Sequence, residues 1–196
     1  MTSLLLLRHG VTQWNQEGRY QGQADPPLDE DGRREAGEVA ARLQSMQIDA
    51  VHSSDLRRAV ETARIIAERL RREVKIERRL REVHQGSWEG LLVEDIPARY
   101  PLEWAAILRD PLHARPPGGE SLVEVAQRVG DALDEIAGAH PSGTVLIVSH
   151  GLALAAALCR ARDLPLEQAR GLIPGNSQWV EVEWPPKASG AQGDFQ

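Results

Sequence analysis

Arg8-His9-Gly10 stands directly after the apolar run Leu4-Leu5-Leu6-Leu7, and Ser149-His150-Gly151 directly after Val145-Leu146-Ile147-Val148. Each run has the apolar continuity of a buried parallel strand, so two strand ends each deliver a histidine and then a glycine. In open α/β sheets ligands bind at the carboxyl ends of the strands, which lets both imidazoles face one pocket. Arg8 adds a guanidinium beside the first. The chemistry that fits is attack by a neutral imidazole on an anion held by guanidinium groups, that is, phosphoryl transfer through a histidine nucleophile.

A three-residue match is cheap on its own, and a histidine after a strand is often no more than a hydrogen-bonded edge residue. Further segments add weight. Thr12 and Asn15 lie in a polar stretch running to Gly22, which reads as a loop able to fold over a pocket. Ser53-Ser54-Asp55-Leu56-Arg57-Arg58-Ala59 places two arginines in the first turn of a helix just past a strand, where the helix N-terminus and guanidinium forks together favour an anion. Leu80-Arg81-Glu82-Val83-His84-Gln85-Gly86-Ser87-Trp88-Glu89-Gly90 supplies acids. A leaving oxygen needs a proton, and a carboxyl beside a phosphate anion keeps its proton to higher pH. By composition Glu82, Glu89 and His84 all qualify.

The elements that must position these groups alternate. Asp29 reads as the N-cap of a helix with Ala36, Val39, Ala40 and Leu43 on its buried face. Ala50 to Ser53 reads as a strand, and Ser54-Asp55 as the cap of a second helix with Leu56, Ala59, Val60, Ala63, Ile66 and Leu70 on one face. Val74 to Ile76 is a short strand, Ser121 to Glu124 a capping box before a long helix, and Thr144 to Ser149 the clearest strand. Leu152 to Ala161 reads as a helix, Leu164-Pro165 as the start of a short turn or helix, and Ser177 to Trp184 as a half-exposed strand that Pro185-Pro186 ends. This order implies a three-layer α/β fold, a mostly parallel sheet with helices on both faces. One domain spans 1–186, with a lid-like segment over 83–120 rich in aromatic residues and proline, and a loose tail over 187–196. Trp88, Leu91, Tyr100, Trp104, Arg109 and Arg115 are the lid residues expected to set the substrate, against the plainer reading of the aromatics as a packed side cluster.

A length of 196 residues suits one core, and the net charge of −6 argues against a nucleic-acid partner. The sole cysteine, Cys159, lies in an Ala-rich helix and reads as an inert buried thiol. Four leucines followed at once by Arg8 make neither a signal peptide nor a membrane span, so the expected location is cytoplasmic, with no membrane partner. His52, His84, His113 and His140 lie in dissimilar contexts without ligand spacing and read as surface or loop histidines. A homodimer is the expected assembly.

Arg8-His9-Gly10 with Thr12 and Asn15, Ser54 to Ala59 with Thr62-Ala63, Leu80-Arg81-Glu82 before Gly86-Ser87-Trp88-Glu89-Gly90, Gly118-Gly119-Glu120-Ser121, and Val148-Ser149-His150-Gly151 resemble, in order, the motifs of the histidine phosphatase superfamily, the phosphoglycerate mutase-like enzymes. The resemblance covers roughly residues 4 to 184. It implies a phosphoglycerate mutase-like fold, His9 as the nucleophile that becomes a phosphohistidine, and Arg8, Arg58, His150 and Asn15 as the phosphoryl-binding set. It selects Arg58 over Arg57, assigns Glu82 as proton donor, puts Gln21, Gly22 and the Gly151 backbone against the substrate, and implies no metal and no cofactor. Val11 departs from the pattern, standing where many relatives carry an acid. The short chain and Gly86 to Gly90 resemble the phosphatase branch, in particular broad-specificity and glucosyl-3-phosphoglycerate phosphatases. Hydrolysis of small phosphomonoesters of sugar or phosphoglycerate type is therefore the expected activity. Cofactor-dependent phosphoglycerate mutation and a non-catalytic phospho-ligand module are the alternatives.

Overall fold

The computed structural model describes residues 1–186; the expected tail lies outside them. Four consecutive leucines form the inner strand β1 (Thr2–Arg8), and all four are fully buried. That requires cover on both faces, because successive strand side chains point to opposite sides. Leu4 and Leu6 pack with Val145, Ile147 and the helices α6 (Leu122–Ala139) and α7 (Gly151–Ala161). Leu5 and Leu7 pack with Val51, Leu146 and Val148 under α2 (Glu30–Leu43) and α3 (Arg57–Leu70). Truncating one of these leucines to alanine would cost about 2–5 kcal/mol.

The sheet also contains β2 (Ala50–Ser53), β3 (Val74–Ile76), β4 (Thr144–Ser149) and β5 (Trp179–Trp184), in the order β3-β2-β4-β1-β5. Only β5 runs antiparallel, along the far edge of β1. The fold is thus a three-layer α/β sandwich with a mixed, mostly parallel sheet. After β1 the chain leaves to the face of α2, and after the neighbouring β4 to the face of α7, so a crevice opens between the two strand ends. Asp29 caps α2 by accepting from the Gly32 N–H at 2.7 Å, and Ser121 closes a capping box with Glu124, as their spacing anticipates.

Some local expectations shift. The polar stretch after Thr12 contains a one-turn helix, α1 (Gln13–Gln16), which Thr12 caps reciprocally with Asn15. Ser54 and Asp55 do not cap α3. Its N-cap is Leu56, while the Asp55 carboxylate is held by the Arg81 fork through two bonds of 2.6 Å. His52 is no surface group: it is half-buried against His140, with Nε2 enclosed and burial lowering its pKa to about 4. Cys159 is buried.

Segment 83–120 forms a side layer of tight turns with two short helices, α4 (Ile96–Arg99) and α5 (Pro101–Arg109). It has its own small core of Trp88, Ile96 and Ile107, onto which Tyr20, Tyr100 and Trp104 pack. The Trp88 ring lies 5.8–6.2 Å from those of Tyr20, Tyr100 and Trp104. The plainer reading of these aromatics is the one that holds, because a layer this thin stays folded only by burying its large rings together.

Candidate active site

Pairing of β1 with β4 sets Arg8 opposite Ser149, so the residues that follow, His9 and His150, leave the sheet side by side. Their ring centroids are 5.1 Å apart, and the His9 N–H donates to the Ser149 carbonyl at 3.0 Å. Gly10 is required by close approach: a Cβ there would strike the Gly32 backbone at the start of α2. The Gly10 N–H donates to Thr62 Oγ1, whose hydroxyl donates to the Arg58 carbonyl one turn earlier on α3. Asn176 and Ser177, just before β5, secure the other side by donating to the carbonyls of Arg8 and His9.

The His9 tautomer follows from its partners. Nδ1 lies 2.7 Å from the Gly10 carbonyl, which can only accept, so Nδ1 carries the proton. Nε2 receives the Arg58 Nε–H at 3.2 Å, and a guanidinium only donates, so Nε2 carries the lone pair. Burial, then the nearby Arg58 and Arg8 charges, hold the His9 pKa well below its ordinary 6.5. The imidazole is therefore neutral at neutral pH with its nucleophilic nitrogen beside a cation. The Gly10 carbonyl thus orients the ring.

Arg58 is 1% exposed and donates to the carbonyls of Ala24 and Gly22, both at 2.8 Å. Burial lowers its pKa to about 10, which leaves it charged. Arg57, its neighbour, points to the surface and pairs with Glu61. Arg8 reaches the Pro174 carbonyl at 2.8 Å and has its own pKa lowered by burial. The Glu82 carboxylate accepts from the N–H groups of Val83, Leu152 and Ala153 at 3.0–3.1 Å, so it sits at the N-terminus of α7. Arg128 holds the Glu82 segment, donating to the carbonyls of Arg79, Arg81 and Glu82 and to the Glu120 carboxylate.

Arg8, His9, Asn15, Gln21, Gly22, Arg58, Glu82 and Gly151 all line one small cleft of about 160 Å³. His150 is fully buried beside His9, with Nε2 2.8 Å from Ser54 Oγ and Nδ1 without a partner. Burial and the Arg58 charge push its pKa well down, so it adds no positive charge to the ligand-free site. Gly22 adopts φ +52°, and a Cβ there would collide with Glu89. Of the three acids open by composition, Glu82 alone lines the cleft. Glu89 instead accepts from the Gln23 and Gln85 N–H groups, with His84 3.6 Å away. None of the six lid residues expected to set the substrate lines the cleft; Tyr20, Val83, Gln85, Arg170 and Ile173 do.

A family model described as histidine phosphatase superfamily (branch 1) matches residues 4–191, and this chain belongs to that family. Phosphoserine phosphatase 1 of Hydrogenobacter thermophilus is 39% identical over 86% of this chain and 80% of its own length. A probable phosphoglycerate mutase of Cronobacter sakazakii is 35% identical, covering 94% and 86%. The structure of a mycobacterial glucosyl-3-phosphoglycerate phosphatase in complex with VO3 superposes with a TM-score of 0.84 at 36% identity, over 92% of this chain and 90% of the other.

Proposed function

We propose that this protein hydrolyses small phosphomonoesters through a phosphohistidine on His9. One observation carries the reading: a neutral His9 whose Nε2 lone pair is turned to the Arg58 guanidinium in a cleft that an anion can enter. The phosphoryl group settles between Arg8 and Arg58 with Asn15 and the Gly151 backbone around it. Nε2 attacks phosphorus, the bond to the ester oxygen breaks, and Glu82 gives that oxygen its proton. Water then attacks the phosphohistidine, returns a proton to Glu82 and releases inorganic phosphate with His9 neutral again. His150, the remaining member of the phosphoryl-binding set, stands beside His9 with its Nδ1 buried and unpartnered. Catalysis of this kind rests on positioning and on charge aimed at the equatorial oxygens, which the two guanidinium groups supply. Gln21 and Gly22 hold the organic part of the ester.

Hydrolysis is preferred over mutation because Gly86 to Gly90 resemble the phosphatase branch. A cytoplasmic homodimer is the setting carried over from the sequence. Among the described residues no helix is long and apolar enough to cross a membrane.

The test is release of inorganic phosphate from p-nitrophenyl phosphate and 3-phosphoglycerate, run beside an assay for interconversion of 2- and 3-phosphoglycerate. Phosphate release with negligible interconversion supports the proposal. Interconversion outpacing release would turn it to a mutase, and binding of phosphate esters without turnover to a non-catalytic module.

A further inference from the structure

Four guanidinium groups line the cleft, Arg8, Arg19, Arg58 and Arg170, against one carboxylate, Glu82. Arg8 and Arg58 flank His9 and are assigned above to the phosphoryl group. Arg19 is already neutralised, by Glu17 at 2.5 Å, and donates to the Gly90 carbonyl at 2.7 Å. Arg170 differs. Among the described residues no carboxylate forms an ion pair with it, and the polar group it lies against is the Tyr20 hydroxyl.

The two residues belong to different parts of the molecule. Arg170 stands on the tight helix Leu166–Leu172, which packs along α7. Tyr20 is tied to the side layer, its N–H donating to the Leu91 carbonyl at 3.0 Å and its carbonyl accepting from Gly90 at 2.8 Å. They meet where the candidate cleft adjoins a second, narrower one beneath the side layer, and both residues line both. A long exposed arginine is usually only a solvated charge on a surface. This one stands on the wall of a ligand cleft with a phenol beside it, and among the described residues no carboxylate pairs with it.

We propose that Arg170, with the Tyr20 hydroxyl, receives a carboxylate of the substrate, so that the substrate class is a small phosphomonoester bearing a carboxylate. This rests on the phosphatase reading above. A lone guanidinium fork matches a planar two-oxygen anion bidentately, and the phenol adds one donor. A second phosphoryl group would call for the fuller set that surrounds His9, and a neutral sugar hydroxyl would leave the cation unbalanced.

The test compares kcat/KM for 3-phosphoglycerate and glycerol 3-phosphate, which share the phosphoester and the carbon chain and differ by a carboxylate against a hydroxymethyl group. Native protein is expected to favour 3-phosphoglycerate by about tenfold or more, the value of one charged hydrogen-bonded pair. Arg170→Gln should bring the ratio close to one, Arg170→Lys should keep part of it, and Tyr20→Phe should lower it less. A native ratio near one, or a ratio that Arg170→Gln leaves unaltered, overturns the proposal while the phosphatase reading stands. An Arg170-dependent preference for fructose 1,6-bisphosphate over 3-phosphoglycerate overturns it in favour of a second phosphate. Failure of native protein to release phosphate from either ester or from p-nitrophenyl phosphate overturns both readings together.

Discussion

The floor of the cleft and its rim are built by different physics. At the floor, His9 and His150 are 3% and 0% exposed, and neighbouring strands in fixed register hold their backbones. Arg58 arrives from the helix after β2, which pairs with β4. Moving any of these groups means moving the sheet. On the rim, Tyr20, Gln85, Arg170 and Ile173 come from loops and one short tight helix, and Ile173 is 40% exposed. Such segments open at much lower free energy than a central sheet. The difference teaches that chemistry here is coupled to the global fold, whereas selectivity rests on parts that change without it. A floor substitution should therefore strike turnover of every ester, and a rim substitution the ratio between esters.

The largest expected effect is at the floor. His9→Asn should lower kcat by several orders of magnitude on all phosphomonoesters while leaving thermal unfolding similar, since removing a covalent nucleophile forfeits the whole pathway. Full activity in that variant would break the contrast at its base. Retained turnover in EDTA should accompany the native enzyme, because Arg8 and Arg58 supply the charge.

Glu82→Gln tests the acid. An alkoxide leaves poorly without a proton, so 3-phosphoglycerate turnover should fall about 100-fold or more. p-Nitrophenyl phosphate, whose leaving group is a weak base, should suffer much less. Equal losses on both would mean that Glu82 shapes the cleft without donating a proton.

Trp88→Ala separates the side layer from the chemistry. Removing a buried ring costs about 3–5 kcal/mol, seen as a lower urea midpoint, and should weaken KM through Tyr20 and Gln85 more than kcat. A fall in kcat that matches His9→Asn would erase the distinction between floor and rim.

The last effect, the only one that needs no substitution, is on stability against pH. His9 and His150 are held well below 6.5 and His52 at about 4 by burial, so as pH falls through 6.5 the unfolded chain takes up protons that the native state refuses. Their stabilising contribution is present above that pH and is lost below it, at up to about 1.4 kcal/mol per pH unit for each histidine. Urea unfolding at pH 7.5, 6.5 and 5.5 measures the slope. Saturating phosphate should flatten the part due to His9 and His150, since a nearby anion favours their charged forms, and leave the His52 part. A slope indifferent to phosphate would place all of it outside the cleft.

What the sequence disclosed follows the same division. Leu4 to Leu7 and Val145 to Val148 are legible as buried strands, and their ends carry the histidines, so register alone brings His9 to His150. Asp29 and Ser121 announce helix starts through cap chemistry that acts within a single turn. Ser54-Asp55 misled as a cap because Asp55 is claimed by Arg81, 26 positions away, which local spacing cannot reveal. Arg170, Tyr20 and Asn176 were missed for the same reason. Asn176 alone had a usable signal: an antiparallel β5 sets the residues before it beside those that follow β1. The ring cluster around Trp88 was visible in composition, but whether it faced ligand or itself depended on packing that no periodicity encodes.

The central claim, that His9 accepts the phosphoryl group, is tested most directly by rapid quench of native protein with a ³²P-labelled phosphomonoester. The expected adduct is acid-labile, stable in base and carried on the peptide containing His9, with none in His9→Asn. Label on a serine or aspartate, or steady turnover in His9→Asn, would contradict the account.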